Sequence, residues 1–247
     1  MRAKGKVVFI TGGSTGLGLA TARAFHREGA RVAILGRRPE VLEAAAGEIG
    51  AGVLAVPGDA TSVEQIEAAV ARIVESFGGI DVVVHSAGGN FERTNIEDTT
   101  LDGFRFTYEA NTTSAFIVVQ QSLKAMKAGG SIVLIGSVAG MMGSANRMSY
   151  ATAKAAMIGM TRQLALTLGP KGIRVNLVAP GMIRTPLTAR LLDGMSNAEM
   201  DKMVATYPLG RLGDPDDVAY ACLYLGSDEA KWVTGITIPV AGGRVTH

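Results

Sequence analysis

The chain has 247 residues, 47% hydrophobic and 19% charged, long enough for one large domain or two small ones and too apolar for global disorder. A formal charge of +2 with no basic stripe gives no reason to expect nucleic acid as a partner. One cysteine, Cys222, excludes an internal disulfide and fits a reducing, cytoplasmic compartment.

The first apolar run, Val7 to Ile10, is shorter than a signal core. No later run approaches membrane-spanning length, so no membrane partner is expected. Seven β-rich runs follow one another: KVVFIT, RVAIL, GVLAV, DVVVHSA, SIVLIGS, IRVNLVAP and GITIPV. They are continuous rather than alternating in polarity, as strands covered on both faces are. Helical stretches separate them. In TSVEQIEAAVARIVESF, Ser62 and Gln65 have capping-box spacing. In GDPDDVAYACLYL, Asp214 suits a cap and Pro215 the first helical position. Regular alternation of strand and helix predicts an α/β fold, a doubly wound parallel sheet of seven strands with helices on both faces. No linker divides the chain, so residues 1–247 are read as one domain. Its least regular part, about Met182 to Gly213, is expected to be a substrate-binding lid. His26, His85 and His247 lack metal-ligand spacing, and no metal site is expected.

The first strand runs straight into TGGSTGLGLATARAF, with Gly12, Gly16 and Gly18. Glycines at a strand-to-helix turn let backbone approach a phosphate, and the helix N-terminus offers unpaired N–H groups. The second strand ends in Gly36, Arg37 and Arg38, where a carboxylate would accept from the adenosine ribose 2′-hydroxyl of NAD. Guanidinium groups instead suit a 2′-phosphate, which favours NADP(H) with NAD(H) possible. The alternative is that both arginines are solvated charges opening a helix.

TGGSTGLG, GDATS after the third strand, HSAGG after the fourth, NTTSAF, GSVAG after the fifth, YATAK and RVNLVAPGMIRTP occur in one order along nearly the whole chain. In this set the chain resembles the short-chain dehydrogenases/reductases, compact Rossmann-like enzymes. The resemblance implies a catalytic tetrad of Asn111, Ser137, Tyr150 and Lys154. Hydride reduction of a ketone leaves negative charge on oxygen, which needs a proton and hydrogen-bond donors. Tyr150 would give the proton. Lys154, one helical turn on, would lower the phenol's pKa and hold the nicotinamide ribose. Ser137 would bond the substrate oxygen, and Asn111 would anchor a water that relays protons. Each has a plainer reading: a turn cap for Ser137, local backbone bonding for Asn111, a half-buried aromatic for Tyr150, a solvated charge for Lys154. The resemblance further implies cofactor contacts from Gly12, Ser14, Thr15, Gly16, Leu17 and Gly18. Others would come from Asp59 and Ala60, from Ser86, Ala87 and Gly88, and from Pro180, Gly181, Ile183 and Thr185. It also implies a homotetramer or homodimer paired through the helices that carry Asn111 and Tyr150.

The chain departs from the family pattern where His85 and Ser86 precede Ala87-Gly88, where Thr15 stands in place of a basic residue, and at Ala241 in VAGG. Met141 and Met142 follow the serine, and the lid holds Met182, Ile183, Leu187, Leu191, Leu192, Met195, Met200 and Met203. Such residues adapt to varied apolar ligands, so a moderately sized hydrophobic secondary alcohol or ketone is expected; the alternative is that they pack the lid onto the body. A 3-oxoacyl-carrier-protein reductase is the second reading. A Rossmann-like methyltransferase leaves Tyr150 and Lys154 unexplained, and an idle NADP-sensing protein would not need the tetrad.

Overall fold

The computed structural model describes residues 1–91 and 94–245. Its seven strands are β1 (Val7–Thr11), β2 (Arg31–Gly36), β3 (Leu54–Pro57), β4 (Ile80–His85), β5 (Met126–Ile135), β6 (Arg174–Pro180) and β7 (Thr237–Val240). They lie in the order β3-β2-β1-β4-β5-β6-β7 with every neighbouring pair parallel. The helices are α1 (Gly16–Arg27), α2 (Pro39–Ile49), α3 (Val63–Phe77), α4 (Leu101–Tyr108), α5 (Ser114–Ser122), α6 (Ala139–Met142), α7 (Met148–Leu168), α8 (Pro186–Asp193), α9 (Asn197–Ala205) and α10 (Pro215–Gly226). The chain is thus a doubly wound α/β protein.

Side chains on a strand alternate between faces, and here both faces are buried. From β1, Val7 and Phe9 join one core with α3, α5 and α7. Val8 and Ile10 join the other, with α1, α2 and α10. That is why the strand sequences are apolar throughout. Burying a side chain such as Phe9 or Ile10 stabilises by roughly 1.5–3 kcal/mol. Small residues let α1 and α10 approach closely, with Ala20 and Ala24 against Ala219.

Local signals were honoured in part. Ser62 caps α3, its Oγ accepting from the Gln65 N–H at 3.2 Å. The reciprocal bond of a capping box is missing, because the Gln65 side chain accepts from the Asp59 N–H at 2.8 Å instead. At α10, Pro215 takes the first turn and the Asp217 carboxylate accepts from the Asp214 N–H at 2.9 Å. The irregular segment after β6 folds into α8 and α9. Met182, Met195, Met200 and Met203 pack there on a small separate cluster of Leu192, Tyr207 and Leu212.

All strands point the same way, so the segments that follow β1 to β6 gather at one edge of the sheet. The strand order reverses between β1 and β4, which opens a crevice at that edge.

Candidate active site

At the crevice, the turn Gly12–Gly18 leads from β1 into α1. Thr15 is the N-cap residue but its side chain makes no capping bond, and no acid sits in the first turn. The N–H groups and positive dipole end of α1 are therefore left for an external anion. Gly18 is required by close packing, since a Cβ there would strike the Gly12 carbonyl. The turn holds Ser14, Gly16 and Leu17, and Ser86 and Ala87 after β4 pack against its Gly12; Ala60 follows β3, Pro180 ends β6 and Gly181 follows it at the same edge of the sheet. Thr185 caps α8 and lies beside Gly16, within 3.5 Å of where a Cβ would stand. Ile183 is buried, and its carbonyl accepts from the Thr188 hydroxyl at 2.6 Å, which leaves its N–H to offer. One Asp59 oxygen accepts from the N–H and the hydroxyl of Thr61, both at 2.9 Å. Arg37 and Arg38 are exposed just past β2, and their guanidinium groups bond no described residue. The donor set fits a dinucleotide: an uncapped helix end for a pyrophosphate, and free guanidinium groups beside the ribose position.

The tetrad residues converge on the other side of the crevice. Between α4 and α5 the helix loosens into a π-helical turn, Glu109–Thr113, which holds Asn111. The buried Asn111 amide is fully engaged. Its Oδ1 accepts from the Gly89 N–H at 3.1 Å, and its Nδ2 donates to the Gly89 and Thr107 carbonyls, both at 2.9 Å. This close approach requires Gly88, whose φ is +125° and whose added Cβ would lie 2.5 Å from Asn111 Oδ1. The side chain thus binds the Gly89 and Thr107 backbone.

Tyr150 and Lys154 sit on α7. Tyr150 and Ser137 line the same cavity, and Ser137 Oγ accepts from the Ala139 N–H at 3.1 Å. Burial pushes the phenol's pKa up, while the nearby Ser137 hydroxyl and the Arg147 cation pull it down. Lys154 is 4% exposed, and its Nζ donates to the Ile135 carbonyl at 2.9 Å. Burial lowers its pKa to about 7. Nζ is 5.7 Å from the Tyr150 ring centre. Lys154 is thus desolvated and turned to backbone, while Ser137 and Arg147 act to lower the phenol.

Sequence reasoning passed over His85, at the end of β4 opposite Thr11. The Ala87 N–H donates to Thr11 Oγ1 at 3.3 Å, and Ser114 Oγ donates to the Ala110 carbonyl at 2.9 Å. Ser114 must then accept from His85 Nε2 at 3.3 Å, and the Thr11 hydroxyl donates to Nδ1 at 3.0 Å. Burial, then the Lys154 charge, lower the ring's pKa to about 3, so it is neutral. It ties β1 and β4 to the first residue of α5, just past the π-helical turn. The signal was the departure at His85-Ser86 itself.

Above Tyr150 and Ser137 opens a cavity of about 930 Å³. Met142, Met182, Leu187, Leu191 and Met203 line it together with Arg147, Arg190 and Arg244. Met195 and Met200 do not; they pack the α8–α9 cluster. Among the described residues no group of three or more His, Cys, Asp or Glu could hold a metal, and no helix is long and apolar enough to cross a membrane. His247 lies outside the described residues.

A parallel Rossmann-like sheet, a phosphate-type turn and a tyrosine that shares a cavity with a serine and stands one turn from a lysine are the features of a nucleotide-dependent oxidoreductase. A family model described as enoyl-(acyl carrier protein) reductase matches residues 12–244. The chain is 37% identical over 251 residues to a 2,5-dichloro-2,5-cyclohexadiene-1,4-diol dehydrogenase of Sphingobium indicum, covering 98% of this chain and 97% of the relative. It is 38% identical over 253 residues to a trans-4-hydroxycyclohexanecarboxylate dehydrogenase of Sinomonas cyclohexanicum, covering 98% and 94%. It is also similar to a crystal structure from Brucella melitensis titled short-chain dehydrogenase/reductase SDR:glucose/ribitol dehydrogenase. There the TM-score is 0.94 at 35% identity, with 100% and 99% of the chains covered. The chain belongs to the short-chain dehydrogenase/reductase family. It is an NAD(P)-dependent oxidoreductase that interconverts secondary alcohols and ketones.

Proposed function

We propose that this chain acts on a moderately sized, largely hydrophobic secondary alcohol or ketone, with NADP(H) preferred over NAD(H). The observation that carries the reading is that Tyr150 and Ser137 line the floor of one cavity, with Lys154 one turn of α7 away. Bound in the crevice, the nicotinamide would supply or accept the hydride. Ser137 holds the substrate oxygen, and Tyr150 gives it a proton in reduction or takes one in oxidation. The raised phenol pKa favours the protonated form that reduction needs. Lys154, with a pKa of about 7, can release and regain a proton near neutrality and would hold the ribose hydroxyls. Asn111 fixes the Gly89 strap and the π-helical turn, and so positions the floor rather than touching substrate.

Arg37 and Arg38 support the NADP(H) preference, their guanidinium groups being exposed and without partners among the described residues. Gly12 to Gly18 would hold the pyrophosphate and Asp59 the adenine. Ile183 and Thr185 would hold the carboxamide, with Pro180 and Gly181 shaping the turn beside it. Met182, Leu187, Leu191 and Met203 support an apolar substrate body, and the two ring-alcohol dehydrogenases above support an alicyclic one. Residues 182–213 form a substrate lid within one domain spanning 1–247, a reading supported by the small cluster of their own. Exposed Phe106, Phe116 and Leu166 on α4, α5 and α7 support a homotetramer or homodimer. The lone buried Cys222, its thiol pushed up to about 12 by burial, fits a cytoplasmic setting.

A carrier-protein reductase is the second reading, favoured by the name of the matching family model. Nicotinamide absorbance with NADP⁺ or NAD⁺ over a panel of cyclic and linear secondary alcohols tests the proposal. Turnover of medium-sized ring alcohols with NADP⁺ is expected. Activity confined to carrier-linked 3-oxoacyl substrates would select the second reading.

A further inference from the structure

The cavity above Tyr150 is apolar on one wall and cationic on another. Arg147 precedes α7, Arg190 lies on α8, and Arg244 follows β7. All three line the cavity, with no Asp or Glu among the described lining residues. On α8, Leu187, Arg190 and Leu191 share one face by their three- and four-residue spacing, so the guanidinium stands beside the apolar wall. The Arg190 guanidinium makes no hydrogen bond or ion pair with any described residue.

Arg244 is built in more firmly. Its Nη1 donates to Thr206 Oγ1 at 2.9 Å and to the Tyr207 hydroxyl at 3.2 Å, and its guanidinium lies 5.1 Å from the Tyr207 ring centre. Tyr207 is buried, and its hydroxyl also accepts from the Met182 N–H at 2.9 Å. With both lone pairs of that oxygen taken, its O–H remains as a donor beside the cavity it lines. Arg147 acts on the Tyr150 phenol and belongs to the floor. Arg190, Arg244 and the Tyr207 hydroxyl then form a donor set with no counter-charge among the described lining residues, on the side of the cavity built by α8 and the segment after β7.

We propose that Arg190 and Arg244 bind the carboxylate of a hydroxy or oxo acid, whose carbinol carbon lies at Tyr150 and whose hydrocarbon body rests on Met182, Leu187, Leu191 and Met203. The placement of the carbinol rests on the function proposed above; the carboxylate site stands on its own donors. A planar guanidinium fork matches a carboxylate with two parallel bonds, and no acid among the described lining residues competes for it. The substrate is thus bifunctional, with an alcohol or ketone at one end, an acid at the other and an apolar spacer between. This sharpens the hydrophobic expectation: the methionines and leucines take the middle of the ligand, and the arginines take its far end.

The test uses the full chain saturated with NADP⁺. Calorimetry compares cyclohexanecarboxylate with cyclohexanecarboxamide, its neutral isostere, and a parallel assay follows oxidation of cyclohexanol. The acid is expected to bind at least tenfold tighter than the amide. That preference should vanish in Arg190→Gln and in Arg244→Gln, and Arg190→Lys should recover part of it. Equal binding of acid and amide, or unchanged acid binding in both glutamine variants, would overturn the carboxylate site. Arginine-dependent acid binding without oxidation of any alcohol would uphold the site and overturn the catalytic reading instead. Arg190 is exposed on its helix, so Arg190→Gln folds normally and keeps the test open if Arg244→Gln does not.

Discussion

The floor and the roof of this site are built by opposite rules. On the floor, His85, Asn111 and Lys154 are buried, and their polar atoms are bonded to backbone or to neighbouring hydroxyls. On the roof, the Arg190 guanidinium is exposed and without a partner among the described residues, and Met182 and Met203 border both the cavity and a small independent cluster. A buried polar network has one low-energy arrangement, because any unmade bond there is expensive. An open wall of methionine, leucine and arginine side chains re-forms around different ligands at little cost. The floor is suited to holding reacting atoms, and the roof to choosing among substrates.

The largest expected effect falls on the floor. His85→Leu strands the hydroxyl of Thr11, which donates to the ring, and removes the partner of Ser114. The cost should be about 3 kcal/mol, a loss of roughly 6–12 °C in Tm for a chain of this size. Thermal denaturation reads it directly, and an unchanged Tm would remove His85 as a tie. The same variant changes the acid response. The folded pKa of His85 is about 3 against an ordinary 6.5, so below pH 6.5 the unfolded chain binds a proton that the folded chain refuses. Wild-type stability from this group therefore falls as pH drops from about 6.5 towards 3. His85→Leu should lose that slope relative to wild type.

A smaller effect is expected at the cofactor edge. Replacing Arg37 and Arg38 together with Ala should lower kcat/KM for NADP⁺ by about 100-fold, the loss of charge-assisted bonds to a 2′-phosphate, and leave NAD⁺ little changed. Equal losses with both cofactors would mean that the arginines do not read the phosphate. The smallest stability effect belongs to the roof. Arg190→Gln should leave Tm within about 1 °C, as surface substitutions do, while changing which substrates bind. A Tm loss as large as that of His85→Leu would erase the contrast between the two regions.

The floor was legible in the sequence where its geometry is local. Tyr150 and Lys154 share one turn of α7 and the glycine turn lies within one strand–helix junction, and it is the ordered set of motifs along the chain that gives these local features their meaning. The strands were legible because burial on both faces makes each run apolar from end to end. The bonds made by Gln65 and Asn111 were not. Each side chain chose a backbone partner set by the fold, Asp59 in one case and Gly89 in the other. His85 was hidden because a lone histidine carries no spacing signal, and its meaning comes from Thr11 and Ser114 on other elements. The arginine wall was hidden for the same reason. Arg147, Arg190 and Arg244 come from three distant segments and meet only through packing.

The central claim is that Tyr150 is the proton donor and acceptor of an alcohol–ketone oxidoreductase. Tyr150→Phe, assayed with NADP⁺ and the best alcohol of the panel, tests it most directly when NADP⁺ affinity is measured in parallel by fluorescence. The account predicts a fall in kcat of about 10²–10⁴-fold with cofactor affinity unchanged. Retention of more than a tenth of the wild-type rate, at equal cofactor occupancy, would contradict it.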